Sequence, residues 1–378
     1  MKRLLLPALL LVGLLQNAVL AQSARSKTSA RSRKTATRKR TPKSPAVDPT
    51  AGDNLDGEDL VVRRAAVEAL GTQNGSIVVA DPATGRVLTM VNQKLALASG
   101  FIPCSTIKLV TAVAALSEHV IDRDTFIYLG RYSSYNLTTA LARSNNQYFA
   151  NLGVRLGFDR VIRYAQMLGL GEKAGLDIPG EQPGELATTA PRPGAMGLLT
   201  AFGEGFQVTP LELAAILSAI ANGGTLYYMQ YPRTAEELDH FTPQVKRTLE
   251  VGPNSLEDIK MGMRGAVDYG TARRANDPNE TILGKTGTCT DFRAGSHMGW
   301  FGSFTEGPRR LVTVVMLTSP VKSVSGAVAS GVAGAFYRNL SAQNYFTVAS
   351  DTNANRNKGL PEIISTTPVS AVASPHDR

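Results

Sequence analysis

The chain has 378 residues, enough for one large domain or two modest ones, and its 43% hydrophobic and 19% charged residues are an ordinary complement for a folded core. The formal net charge of +9 is local: 11 of the 40 basic residues fall before residue 44 and 30 of the 31 acids fall after residue 50, leaving 29 basic residues against 30 acids, about −1, in the remainder. The body is therefore not basic, which gives no reason to expect nucleic acid as a partner, and no His/Cys cluster has ligand spacing, so neither a metal nor another cofactor is implied.

Residues 1–21 have the layout of a secretory signal: Lys2 and Arg3 precede an apolar run from Leu4 to Leu15, and Val19-Leu20-Ala21 offers small residues for cleavage. Pro7, Gly13 and a run shorter than the ~20 residues of a membrane span argue against a stable transmembrane helix, with an uncleaved inner-membrane anchor as the alternative. The expected location is the periplasm or cell envelope, where a disulfide between Cys104 and Cys289 becomes chemically open. Residues 22–60 have hardly any large apolar side chain and read as a disordered basic linker. Its stretch 25–43 suits an anionic membrane surface, and equally a solvated tether with no partner.

Order should begin near Val61, with a helix over 61–70, a strand over 75–80, a turn at Asp81–Gly85 and a returning strand over 86–91. Next, Pro103-Cys104-Ser105-Thr106-Ile107-Lys108 opens a helix, since Leu109, Val110, Val113, Ala114 and Leu116 recur at helical spacing. A serine at a helix start usually has Glu or Gln three residues on; here it has Lys108, the wrong charge for the positive end of the dipole. A lysine held there is pushed toward its neutral form, and a neutral amine one turn from a hydroxyl can take its proton. That misfit makes the pair a candidate for catalysis.

Further helices are expected over 137–142, 147–156, 160–168, 211–221 and 256–267, the fourth opened by Thr209-Pro210 and closed by Asn222-Gly223-Gly224. The Pro- and Gly-rich stretch 179–197 reads as a long surface loop. Strands return at 281–288, 299–304 and 311–318, and a helix over 326–340 closes a domain spanning 61–345; the polar tail, 346–378, is expected to be disordered. Strands at both ends with helices between predict an α+β fold whose sheet joins the two ends of the sequence.

Two other motifs bear on Ser105. Ser144-Asn145-Asn146 falls between two helical runs, and Lys285-Thr286-Gly287 lies on the first C-terminal strand, completing the ordered set S-x-x-K, S-x-N, K-T-G of serine β-lactamases and penicillin-binding proteins. Each motif alone is weak. Ser319-Pro320-Val321-Lys322 and Ser134-Tyr135-Asn136 repeat two of them by chance; Pro320 and the strand before it keep Ser319 off a helix, and Ser134 reads as a turn former. Context singles out the other set.

From these residues outward the chain resembles the transpeptidase domain of penicillin-binding proteins, over roughly Gly75 to Leu340. Six segments carry the likeness in order: Val79–Gly85, Pro103–Lys108, Ala140–Phe149, Val208–Leu211, Ala221–Gly224 and Gly284–Thr288. The resemblance implies a five-stranded antiparallel sheet flanked by helices, a mostly helical subdomain and a site in the cleft between them. It implies acyl transfer from D-alanyl-D-alanine stem peptides, with peptidoglycan and β-lactam antibiotics as partners. Ser105 would be the nucleophile, Lys108 its base, Ser144 a proton relay, and Asn146 a holder of the substrate amide. Lys285 and the strand Thr286-Gly287-Thr288 would bind the substrate carboxylate, and the backbone N–H groups of Ser105 and Thr288 would form the oxyanion hole. Which lysine takes the first proton stays open.

Four departures stand out. Cys104 occupies a position where the family commonly has Gly, Glu204 one where it commonly has Gln, and the stretches before Ser105 and between Ser105 and Ser144 look short. Cys104 adjoins the nucleophile position and Cys289 follows Thr288, so a disulfide spanning about 6 Å between Cα atoms is one reading and two separately buried thiols the other. Rival functions are a D,D-carboxypeptidase using water as acceptor, a class D-like β-lactamase, and a penicillin-binding sensor or scaffold without turnover. A Ser-His-Asp hydrolase is disfavoured, because none of His119, His240, His297 and His376 accompanies a G-x-S-x-G motif.

Overall fold

The structure is a computed structural model and describes residues 48–252, 254–321 and 324–347. The expected signal, all but the end of the linker, and the tail beyond residue 347 lie outside the described residues.

Helix α1 (Leu60–Leu70) is capped by the carboxylate of Asp59, which accepts from the N–H groups of Val61 and Val62. The hairpin β1 (Gly75–Ala80) and β2 (Val87–Val91) follows, then a single-turn α2 (Gln93–Ala96). A 3₁₀ turn, Cys104–Ile107, leads into α3 (Lys108–Ser117), so Ser105 lies inside a tight turn rather than capping an α-helix, and Lys108 is the first residue of the helix proper. The small hairpin β3 (Ile127–Gly130) and β4 (Ser133–Tyr135) comes next. Ser134, expected to be a turn former, instead pairs with Tyr128 in that hairpin.

Helices α4 (Leu137–Ala142), α5 (Asn146–Leu156) and α6 (Phe158–Met167) build the helical part, followed by the long loop and a π-helical stretch, Leu198–Phe202. Helix α7 (Pro210–Asn222) is apolar nearly all round, and every residue from Pro210 to Ala221 is buried, as befits a helix enclosed on all sides. A second small hairpin, β5 (Thr225–Tyr227) and β6 (Val245–Thr248), encloses the short α8 (Ala235–Asp239) and precedes α9 (Ser255–Asp268). Strands β7 (Ile282–Asp291), β8 (Ser296–Thr305) and β9 (Val312–Ser319) then lead to α10 (Gly326–Ala342). Ser319 sits at the end of β9; Lys322 lies outside the described residues.

The main sheet is antiparallel with strand order β2-β1-β9-β8-β7, so the first hairpin pairs with the last strand and the two ends of the domain share one sheet. Both faces are covered. Val78, Ala80, Val314 and Met316 face the core that contains α7, while Ile77, Val79, Val315 and Leu317 face the core formed with α1 and α10. This explains why β1 reads as an unbroken apolar run instead of an alternating one.

Two expected boundaries are corrected. Residues 53–59, assigned above to a disordered linker, are pinned to the domain: Asp53 accepts from the N–H groups of Asn92 (2.8 Å) and Gln93 (2.7 Å), and Glu58 from Met90 N–H (2.9 Å) and the Thr89 hydroxyl (2.8 Å). Arg63 pairs with both carboxylates. Phe346, placed above in the tail, is buried in the core beside Tyr345, whose hydroxyl donates to Asp59 (2.9 Å).

Candidate active site

The three motifs reach one point from three elements. The turn that carries Ser105 is tied down on both sides: Thr106 Oγ1 donates to Pro103 O (2.7 Å), and Trp300 Nε1 on β8 donates to Ile102 O (3.0 Å). Gly287 on β7 leaves room for that turn; a Cβ there would stand 3.0 Å from Pro103 O and 3.3 Å from Cys104 Cβ. Ser144 lies in the three-residue turn between α4 and α5, where Asn145 caps α5 through Tyr148 N–H (2.8 Å). Its φ of 54° is left-handed, an uncommon conformation for a residue with a Cβ and one that tends to mark functional turns.

Lys108 is the hub. Its Nζ lies 3.0 Å from Ser105 Oγ, 3.0 Å from Ser144 Oγ, 2.8 Å from Ser144 O and 2.6 Å from Asn146 Oδ1. Lys285 on β7 approaches from behind, its Nζ 2.8 Å from Ser144 Oγ and 2.8 Å from its neighbour's carbonyl, Thr286 O. Both lysines have 0% exposure and no carboxylate partner among the described residues. Burial lowers the Lys108 ammonium to about 7, and burial together with the Lys108 charge holds Lys285 well below its usual range. The arrangement can therefore hold a neutral amine against a serine hydroxyl, with a second hydroxyl shared between two amines.

Ser105, Ser144, Asn146, Thr286 and Thr288 line a pocket of about 340 Å³ together with Thr271, Ser325 and Ala327. Lys285 does not line it; its head group stands behind Ser144. Thr288 Oγ1 accepts the N–H of Gly326 at the start of α10 (2.7 Å), which leaves its own hydroxyl proton free to donate. Thr271 and Ser325 were not anticipated. Thr271 Oγ1 is 2.7 Å from Thr286 Oγ1, and its N–H donates to Ala142 O (3.1 Å), so it bridges the helical part and β7. Gly270, just past α9, permits this close approach, since a Cβ there would collide with Ala142 O.

A wider groove of about 580 Å³ adjoins the segment before the turn, bordered by Ile102, Glu204, Phe206, Thr290 and Phe292. Glu204 lines this groove and not the Ser105 pocket. Cys104 and Cys289 are joined in a disulfide, their Cα atoms 5.5 Å apart. Among the histidines, the rings of His240 and His297 bond Glu236 O and Thr290 Oγ1, and neither lines the pocket that holds Ser105; His376 lies outside the described residues.

Comparison with known proteins returns the same architecture. Stage V sporulation protein D of Bacillus subtilis is 29% identical over 281 residues, covering 66% of this chain and 43% of that protein. Peptidoglycan D,D-transpeptidase MrdA of Acinetobacter baumannii is 25% identical over 302 residues, covering 64% of this chain and 45% of that protein. The chain thus spans less than half the length of these curated relatives. The transpeptidase domain of Burkholderia pseudomallei penicillin-binding protein 3 superposes with a TM-score of 0.65 at 21% identity, over 76% of this chain and 96% of that one, and so shares the fold. The model of the penicillin binding protein transpeptidase domain matches residues 75–341, from the first strand to the last helix and across all three motifs, and the chain belongs to that family.

Proposed function

We propose that the protein is a serine D,D-transpeptidase that cross-links peptidoglycan through an acyl-enzyme on Ser105. The observation that carries the reading is the position of Lys108 Nζ, in contact with both hydroxyls and desolvated to near neutrality. In its neutral form Lys108 takes the proton of Ser105 as Oγ attacks the carbonyl of the penultimate D-alanine. The N–H groups of Ser105 and Thr288 receive the oxyanion. Collapse expels the terminal D-alanine, whose amine takes the proton from Lys108 through Ser144. An acceptor amine then attacks the ester, giving its proton back along the same path, and Ser105 is restored.

The remaining groups orient the donor. Asn146 Oδ1 is occupied by Lys108, so its NH₂ is turned to the substrate amide. The hydroxyls of Thr286 and Thr288 take the terminal carboxylate, with Lys285 contributing its field from behind Ser144 rather than by direct contact. Gly287 supplies the close approach of β7 to the nucleophile turn. The same chemistry opens a β-lactam ring, and the domain works in the cell envelope, where peptidoglycan lies.

Fluorescent penicillin tests the reading. Wild type should form a stable adduct at Ser105, and Ser105→Ala, folded by circular dichroism, should form none. Label on Ser105→Ala would end the assignment, and label that is rapidly released would indicate a β-lactamase. Mass spectrometry of stem-peptide products separates cross-linking from release of D-alanine to water.

A further inference from the structure

Cys104 immediately precedes Ser105 and is fully buried, with φ at 53°. This is the left-handed region, where a Cβ crowds the following carbonyl and glycine alone is at ease. The turn is wedged between glycines on two sides. Gly287 faces it from β7, and Gly203, at φ 75°, faces it from the loop after the π-helical stretch, where a Cβ would stand 2.5 Å from Pro103 Cγ. The partner cysteine follows Thr288 directly and is only half-buried. The cross-link thus joins the residue before one member of the proposed oxyanion hole to the residue after the other.

We propose that the Cys104–Cys289 disulfide is a positioning device: it holds residue 104 left-handed, so that the N–H groups of Ser105 and Thr288 converge on one point. A bond whose only task was to restrain the unfolded chain could lie anywhere along the 185 residues it spans. This one lies on a backbone conformation that needs outside support, next to the reacting hydroxyl. Without the bond, a residue with a Cβ at 104 relaxes toward negative φ and swings the Ser105 N–H away. The inference rests on Ser105 being the acylated residue.

The test uses the full chain and the rate constant for labelling by fluorescent penicillin, with folding followed by thermal denaturation. Dithiothreitol donates two electrons and two protons to the disulfide, leaving two thiols and its own cyclic disulfide. Reduced wild type and Cys104→Ala/Cys289→Ala should acylate about tenfold more slowly while remaining folded, the rate equivalent of the left-handed penalty. Cys104→Gly/Cys289→Ala should recover to within about threefold of oxidised wild type, because glycine takes that φ without help. Three results overturn the proposal: an alanine variant within about twofold of wild type, a glycine variant as slow as the alanine one, or a loss accounted for by the unfolded fraction. If oxidised wild type carries no label on Ser105, the nucleophile assignment itself fails, whatever the cysteine variants do.

Discussion

Lys108 and Lys285 are two amines buried within reach of one hydroxyl, and they cannot both be comfortably charged. Burial alone brings Lys108 to about 7, whereas Lys285 is lowered by burial and then by Lys108. A base must be neutral to accept a proton, and a lysine is neutral above its pKa. The acylation rate should therefore rise with pH through about 7 and level off above it, as single-turnover labelling between about pH 5.5 and 8.5 would show. A flat profile would remove Lys108 as the base. The spacing of Ser105 and Lys108 was legible because it is local: three residues, one turn. Thr271 was not, because its value lies in a contact with Thr286 made across two elements, and a single threonine in a turn carries no pattern.

At the scale of elements, α7 shows what a legible signal can contain beyond its local meaning. Thr209 and Glu212 form a reciprocal capping box, readable as Thr-Pro-Leu-Glu before an apolar run. The Glu212 carboxylate does more: it also accepts the N–H groups of Gly171 (2.8 Å) and Gly184 (3.2 Å), joining two loops to the central helix. Burial is the largest influence and raises it to about 7, against three N–H groups that pull it down. Its folded pKa thus exceeds the ordinary 4.5 of a glutamate, so its contribution is fully present below about 4.5 and is lost as pH rises through about 7. Urea midpoints of wild type should fall between pH 5 and 8, and those of Glu212→Gln should fall less; equal slopes would refute the coupling. Glu212→Ala, which strands three buried N–H groups, should cost about 3 kcal/mol or more at pH 5. The hairpins β3–β4 and β5–β6 were missed for a different reason. Strands of three or four residues, half exposed, hold no alternation to detect.

For the molecule as a whole, the sheet order brings both ends of the domain together at β2, β1 and β9 while the cleft forms at the other edge, on β7. The joining of the ends was legible, because strands fall at both ends of the domain with helices between them, and one sheet can bury both sets. The segment before α1 was not, because its order comes from charge pairing rather than apolar burial. Asp53 and Glu58 are nearly inaccessible, with side-chain exposures of 3% and 0%, and Arg63 pairs with both while donating to Met90 O (2.7 Å). Removing one partner of such a cluster leaves buried charge uncompensated, so Arg63→Ala should cost roughly 3–5 kcal/mol in urea denaturation. The cluster touches β2, at the far edge of the sheet from β7, so under strongly native conditions the penicillin-labelling rate of the folded variant should stay within about twofold of wild type. Slower labelling at unchanged stability would instead mean that the strap over β2 is coupled to the cleft. The expected pattern, stability lost and labelling kept, would make residues 53–59 part of the domain's foundation and leave the chemistry to the opposite edge.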